Sequence, residues 1–128
     1  MLKLLLRLAA PALAVVAFSG CVTNPETGRS QLMIVSESQM TQLGLSSFDK
    51  MKKEVPVSHD ANANAMVRRV GERIRSVVNI PNAQWEFVVF ENKEANAFCL
   101  PGGKIGVYTG ILPITSDDAG LATVLGHE

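Results

Sequence analysis

The sequence predicts an α+β domain, and three observations predict it. Two stretches of helical periodicity come first, over 36–54 and 60–78. Short runs of β-branched and aromatic residues come next, the last two joined by Pro101-Gly102-Gly103. A capped apolar segment after Ser116 then supplies a helix to lie against those strands. The length of 128 residues suits one domain of about 100–150 residues. Twelve Lys+Arg balance twelve Asp+Glu, which argues against nucleic-acid binding, since that function normally shows a basic stripe. Charged residues at 19% are too few for a solvated, disordered chain. Two cysteines cannot build a disulfide scaffold or a Cys-based structural zinc site.

Residues 1–20 (MLKLLLRLAAPALAVVAFSG) carry two charges, Lys3 and Arg7, ahead of an apolar run from Leu8 to Phe18. The small pair Ser19-Gly20 closes the stretch. A basic start, an apolar run of about 7–15 residues and a small-residue end describe a secretory signal peptide. A membrane-spanning helix would need about 20 apolar residues. Cys21 comes directly after, and Ala17-Phe18-Ser19-Gly20-Cys21 resembles a bacterial lipobox, with Phe18 where leucine is usual. The resemblance implies lipidation of Cys21, which would hold the protein on a membrane surface without spanning it. Cleavage before Cys21 removes both early cations and leaves 108 residues with a net charge of about −2. It also leaves Cys99 unpartnered, as a buried apolar filler or a free thiol. Residues 21–35 read as a tether: Asn24-Pro25 and Thr27-Gly28 are turn formers, and 31–35 is a small apolar patch with little pattern.

The domain proper is expected over 36–128. Ser36 and Gln39 have capping-box spacing, and Met40, Leu43, Phe48 and Met51 recur at roughly helical intervals before Pro56 stops the helix. Lys50, Lys52 and Lys53 complement the helix dipole and read as a solvated helix end. Asp60 is a good N-cap for the second helix, with Val67, Val70, Ile74, Val77 and Val78 as its apolar stripe. Arg68, Arg69, Arg73 and Arg75, interleaved with Glu72, read as a solvated face. Strands are expected at 85–90, 97–100 and 104–109, with the Pro-Gly-Gly turn tolerating positive φ between the last two.

Ser116 is the N-cap candidate for the last helix, with Asp117 and Asp118 in its first turn. Leu121, Val124 and Leu125 define an inward stripe, and the next position on it, i+7, is Glu128. A carboxylate carried toward the core is costly unless a cation or a metal-bound water meets it. His127 precedes Glu128, about 100° round the helix. A bare His-Glu pair is weak evidence of a metal site; its place on a capped apolar helix that runs on without a stop signal strengthens it.

Three blocks together, Asn96-Ala97-Phe98-Cys99-Leu100-Pro101-Gly102-Gly103-Lys104-Ile105, Val107-Tyr108-Thr109-Gly110 and Leu121-Ala122-Thr123-Val124-Leu125-Gly126-His127-Glu128, carry a family resemblance. They resemble the membrane-associated zinc metallopeptidases related to CAAX prenyl proteases and mitochondrial Oma-type proteases. The likeness is greatest to a bacterial periplasmic lipoprotein branch, whose tether is also similar to Asn24-Pro25-Glu26-Thr27-Gly28-Arg29. The resemblance implies the N-terminal half of a zincin-like fold, helices on a small sheet, with the active-site helix cut short. It implies that His127 is the first histidine of a His-Glu-x-x-His motif and a Zn²⁺ ligand, and that Glu128 is the general base. It also implies that Asn96, Ala97, Phe98, Gly102 and Gly103 belong to the edge strand and turn along which polypeptide substrate adds as a strand.

Histidines at i and i+4 share one helix face and can grip one zinc ion, which needs three protein ligands and a water. In this family the second histidine falls three positions after Glu128 and a glutamate on a later helix is the third ligand, so this chain is expected to hold one of three. His59 lies in a loop without motif spacing and does not replace them. The expected gene product is therefore a zinc-dependent endopeptidase of the bacterial cell envelope, acting on misfolded or envelope proteins. It would face the periplasm, and Val22 after the cysteine favours the outer membrane. The 128 residues alone are expected to be inactive, without tight zinc binding and only marginally stable. The competing expectation is a non-catalytic, membrane-anchored lipoprotein that works as a binding or scaffolding module. The reading frame beyond Glu128 separates the two.

Overall fold

The structure is a computed structural model that describes residues 21–23, 30–32 and 34–128. The expected signal peptide lies outside the described residues. The chain divides into two units, 1–36 and 37–128. In the first, β1 (Cys21–Thr23) pairs antiparallel with β2 (Ser30–Leu32), in register Cys21 to Leu32. The stretch expected as a plain tether thus contains a short strand pair, to which the β-branched Val22 and Thr23 are suited.

The second unit is α+β, with four helices and a three-stranded mixed sheet. Its elements are α1 (Glu37–Glu54), α2 (Ala61–Arg75), β3 (Glu86–Phe90), β4 (Ala97–Leu100), β5 (Lys104–Tyr108), a 3₁₀ turn (Thr109–Ile111), α3 (Leu112–Thr115) and α4 (Asp118–His127). The strand order is β3-β5-β4. β5 is central, parallel to β3 and antiparallel to β4, with Glu86 opposite Lys104 and Ala97 opposite Val107. Parallel neighbours cannot be joined by a tight turn. Here residues 91–96 and β4 itself carry the chain round to β5.

Period-two alternation splits the strand side chains between two layers. Val89, Ala97, Ile105 and Val107 face α2 and α4, where Val67, Val70, Leu121 and Leu125 complete one core. Val88, Phe90, Phe98 and Tyr108 face α1, packing round the fully buried Phe48. Phe48 meets Phe90 edge-on at 6.0 Å, and Phe98 meets Tyr108 edge-on at 5.9 Å.

Several expectations are corrected by this packing. In α1 the packed side runs through Gly44, Phe48 and Met51, while Leu43 is 61% exposed and Met40 is also exposed. The reason is a backbone approach: a Cβ on Gly44 would collide with the carbonyl oxygen of Pro101. Lys52 is no solvated helix end. Its Nζ binds Asp49 at 3.0 Å and Glu86 at 2.7 Å, and Lys104 binds the other Glu86 oxygen at 3.0 Å.

The second helix stops at Arg75, three residues early. The Ser76 hydroxyl donates to the Arg73 carbonyl at 2.6 Å, and Val77 is 83% exposed. Asp60 caps α2 as expected, accepting from the amides of Asn62 and Ala63. The cap of α4 is Asp117, which accepts from the Gly120 amide at 2.9 Å. Ser116 instead ends α3 at φ 64°, because α3 and α4 meet there in a sharp turn.

Candidate active site

Of the residues singled out in the sequence, Glu128 and Gly103 line one groove between the end of α4 and the sheet, while Phe98 packs on the opposite face. α4 is seated by Leu121 (0% exposed) and Leu125 (3%), one turn apart on its inner face. His127 is its last residue, and Glu128 is the C-cap, its amide donating to the Val124 carbonyl at 3.3 Å. Both side chains are exposed. Glu128 follows Leu121 and Leu125 on the inward side of α4, and its exposed carboxylate stands at the rim of a groove that Leu125 also lines.

That groove has a volume of about 240 Å³. Ile74 from α2, Trp85 before β3, Cys99 from β4 and Leu125 and Glu128 from the end of α4 line it. Its floor is apolar and its one acidic group is Glu128. Burial pushes the Cys99 thiol up from its usual range, and the charge of Glu128 pushes it in the same direction. The carboxylate is thus within electrostatic reach of the edge strand. Cys99 itself is an exposed free cysteine, not the buried filler that was one of its two expected states.

The remaining residues are brought together unequally. β4 is an edge strand of the sheet, so among the described residues one side of its backbone has no ladder partner. Ala97 is buried under α4, and Phe98 points to the opposite face, stacked on Phe90. Their side chains are committed to the cores, which leaves only their backbone for a ligand. Asn96 is exposed, and its carbonyl accepts the Tyr108 amide at 3.0 Å. Gly102 and Gly103, at φ 89° and 81°, shape the turn, and their carbonyls accept the amides of Gln84 and Glu86. Cys99 and Trp85, which face the groove, were missed as site residues. Cys99 was legible, since strand alternation puts it on the face of Ala97. Trp85 was not, because only the β3-β5 register brings it there.

His127 supplies one imidazole. Among the described residues no three His, Cys, Asp or Glu side chains cluster as a metal site, and His59 is exposed in the loop before α2. These residues do not by themselves fit a zinc ion that requires three protein ligands.

α4 thus ends in His127-Glu128, with Glu128 on the same groove as Cys99 of β4. By comparison with known proteins, the chain belongs to peptidase family M48, a zinc-dependent family whose model matches residues 61–128. Among its relatives is the mitochondrial metalloendopeptidase OMA1 of Schizosaccharomyces pombe, 47% identical over 62 residues, covering 48% of this chain and 18% of the relative. The mitochondrial metalloendopeptidase OMA1 of Arabidopsis thaliana is 35% identical over 96 residues, 73% of this chain and 20% of the relative. The Beta-barrel assembly-enhancing protease of Escherichia coli K12 is 26% identical over 106 residues, 83% of this chain and 22% of the relative. The chain thus spans about a fifth of the length of these curated relatives.

Proposed function

We propose that this chain provides the edge-strand half of the active site of a zinc-dependent endopeptidase in the bacterial cell envelope. In this reading Glu128 is the general base, taking a proton from the attacking water and delivering it to the leaving amine. His127 is one ligand of the metal, whose contribution when bound is to acidify water and polarise the scissile carbonyl. The backbone of Asn96, Ala97 and Phe98 receives a polypeptide as an added strand, and Gly102 and Gly103 hold the turn that presents it. The substrates are misfolded or envelope proteins. A lipid on Cys21 anchors the molecule to a membrane, facing the periplasm, with Val22 favouring the outer membrane.

One observation carries the reading. Glu128 and Cys99 of the edge strand β4 line the same groove, so the candidate base stands beside the backbone that would hold a substrate.

The test uses the polypeptide encoded by the complete reading frame. Glu128→Gln should abolish cleavage of an unfolded protein while zinc content, read by mass spectrometry of the metal, is unchanged. Cleavage retained in that variant overturns the assignment of the base. A full-length protein that binds unfolded polypeptide, holds no zinc and cleaves nothing would instead establish the binding module.

A further inference from the structure

We propose that Arg69 is a positioning residue for α4: its guanidinium grips Asp118 and thereby fixes where along its axis the helix bearing His127 and Glu128 sits. The role at the active site rests on the function proposed above; the clamp itself does not. Arg69 donates from Nε to Asp118 Oδ2 and from Nη2 to Asp118 Oδ1, both at 2.6 Å. Arg73 brings a second guanidinium to 3.7 Å from the same carboxylate. Both arginines lie on α2, and Asp118 lies in the first turn of α4. The face of α2 read from the sequence as merely solvated is therefore tied to the helix of the candidate site.

The need for such a tie arises from how weakly α4 is otherwise determined. Ten residues are too few for a stable isolated helix, and Gly120 and Gly126 lower its propensity further. Leu121 and Leu125 hold its inner face. Apolar burial is non-directional, so it resists withdrawal of the helix far more than sliding along its axis. A two-bond fork between guanidinium and carboxylate constrains both distance and direction. At 1.5 Å per residue Glu128 lies about 15 Å from Asp118, and a helix moves as a rod over that span. A displacement at the fork therefore arrives at the carboxylate, where small misplacements of reacting groups are costly. Asp117, the cap, fixes only the first turn of α4 to itself and cannot set its place against α2.

Two measurements separate the clamp from its consequence. In the full-length protein, Arg69→Met should speed amide hydrogen exchange at Leu121 and Leu125 by roughly two- to five-fold, with Phe90 and Val107 unchanged. Asp118→Asn should do the same, and the double variant should exchange no faster than the faster single one, because both break one contact. Unchanged rates in α4, additive rates, or equal acceleration in the sheet would overturn the clamp.

In the full-length peptidase, Arg69→Met should lower kcat about ten-fold without changing KM. Arg69→Lys, which keeps the charge but loses the fork, should recover only part of it. An unchanged kcat would overturn the positioning role. If the exchange results hold while Glu128→Gln still cleaves, the clamp stands and the assignment of the base falls.

Discussion

Glu86 shows how one carboxylate is made structural. It sits at the start of β3, opposite Lys104 in the ladder, with Lys52 of α1 on its other oxygen. Burial alone would raise its carboxyl, but the hydrogen bonds from Lys52 and Lys104 outweigh this and hold it below the usual carboxylate range. Lys52 is raised in turn, by its hydrogen bonds to Glu86 and Asp49. For an acid depressed on folding, the stabilisation is present above the unfolded carboxylate range, near pH 4.5, and is lost as pH falls through the lower folded value. The difference in stability between the wild type and Glu86→Gln should therefore be constant from pH 6 to 8 and shrink below about pH 4.5. Urea denaturation across that range checks it, and a difference independent of pH would remove the role of the charge. Nothing in the sequence marked this group: Lys52, Glu86 and Lys104 are far apart in the chain and meet only through the sheet register.

At the scale of elements, the seat of α1 is decided by a residue with no side chain. Gly44 lets the helix backbone rest on the Pro101 carbonyl of the β4–β5 turn. Gly44→Ala should destabilise the fold by about 1–3 kcal/mol, the usual cost of overpacking, seen as a lower urea midpoint with unchanged slope. Leu43→Ala, one residue away but exposed, should cost no more than about 0.5 kcal/mol. A Gly44→Ala variant as stable as the wild type would show that α1 is not held by this approach. The elements themselves were legible because each carries a local signal: Asp60 as a cap, the β-branched run before Phe90, and Gly102-Gly103 as a turn. Their ends were less so. α2 stops before Val77, which stands exposed, and the Met40 and Leu43 positions, apolar by type, face outward.

For the whole molecule, the proposed membrane attachment is at Cys21, which belongs to the small β1–β2 unit and not to the unit that holds the candidate site. No described helix is long and apolar enough to cross a membrane. Cys21→Ser should leave the protein unprocessed or in the soluble periplasmic fraction, judged by fractionation and N-terminal mass. A variant still membrane-bound with its normal mature N-terminus would remove lipid anchoring from the proposal. The candidate site depends on the other unit as a whole: the edge position of β4 needs the β3-β5-β4 order, and the groove needs α2, the sheet and the end of α4 at once.

The sequence by itself determined the α+β class, the order of the two long helices, the three sheet strands and the last helix, and the family, because caps, turns, strand alternation and the His-Glu block are local patterns that survive without a fold. Only the tertiary structure decided which groove Glu128 borders, and that Ala97 and Phe98 can offer a ligand only their backbone. It alone joined Arg69 to Asp118. Each of these depends on which distant segments share a surface, and side-chain burial and charge pairing are set by that contact, not by the residues on either side in the chain.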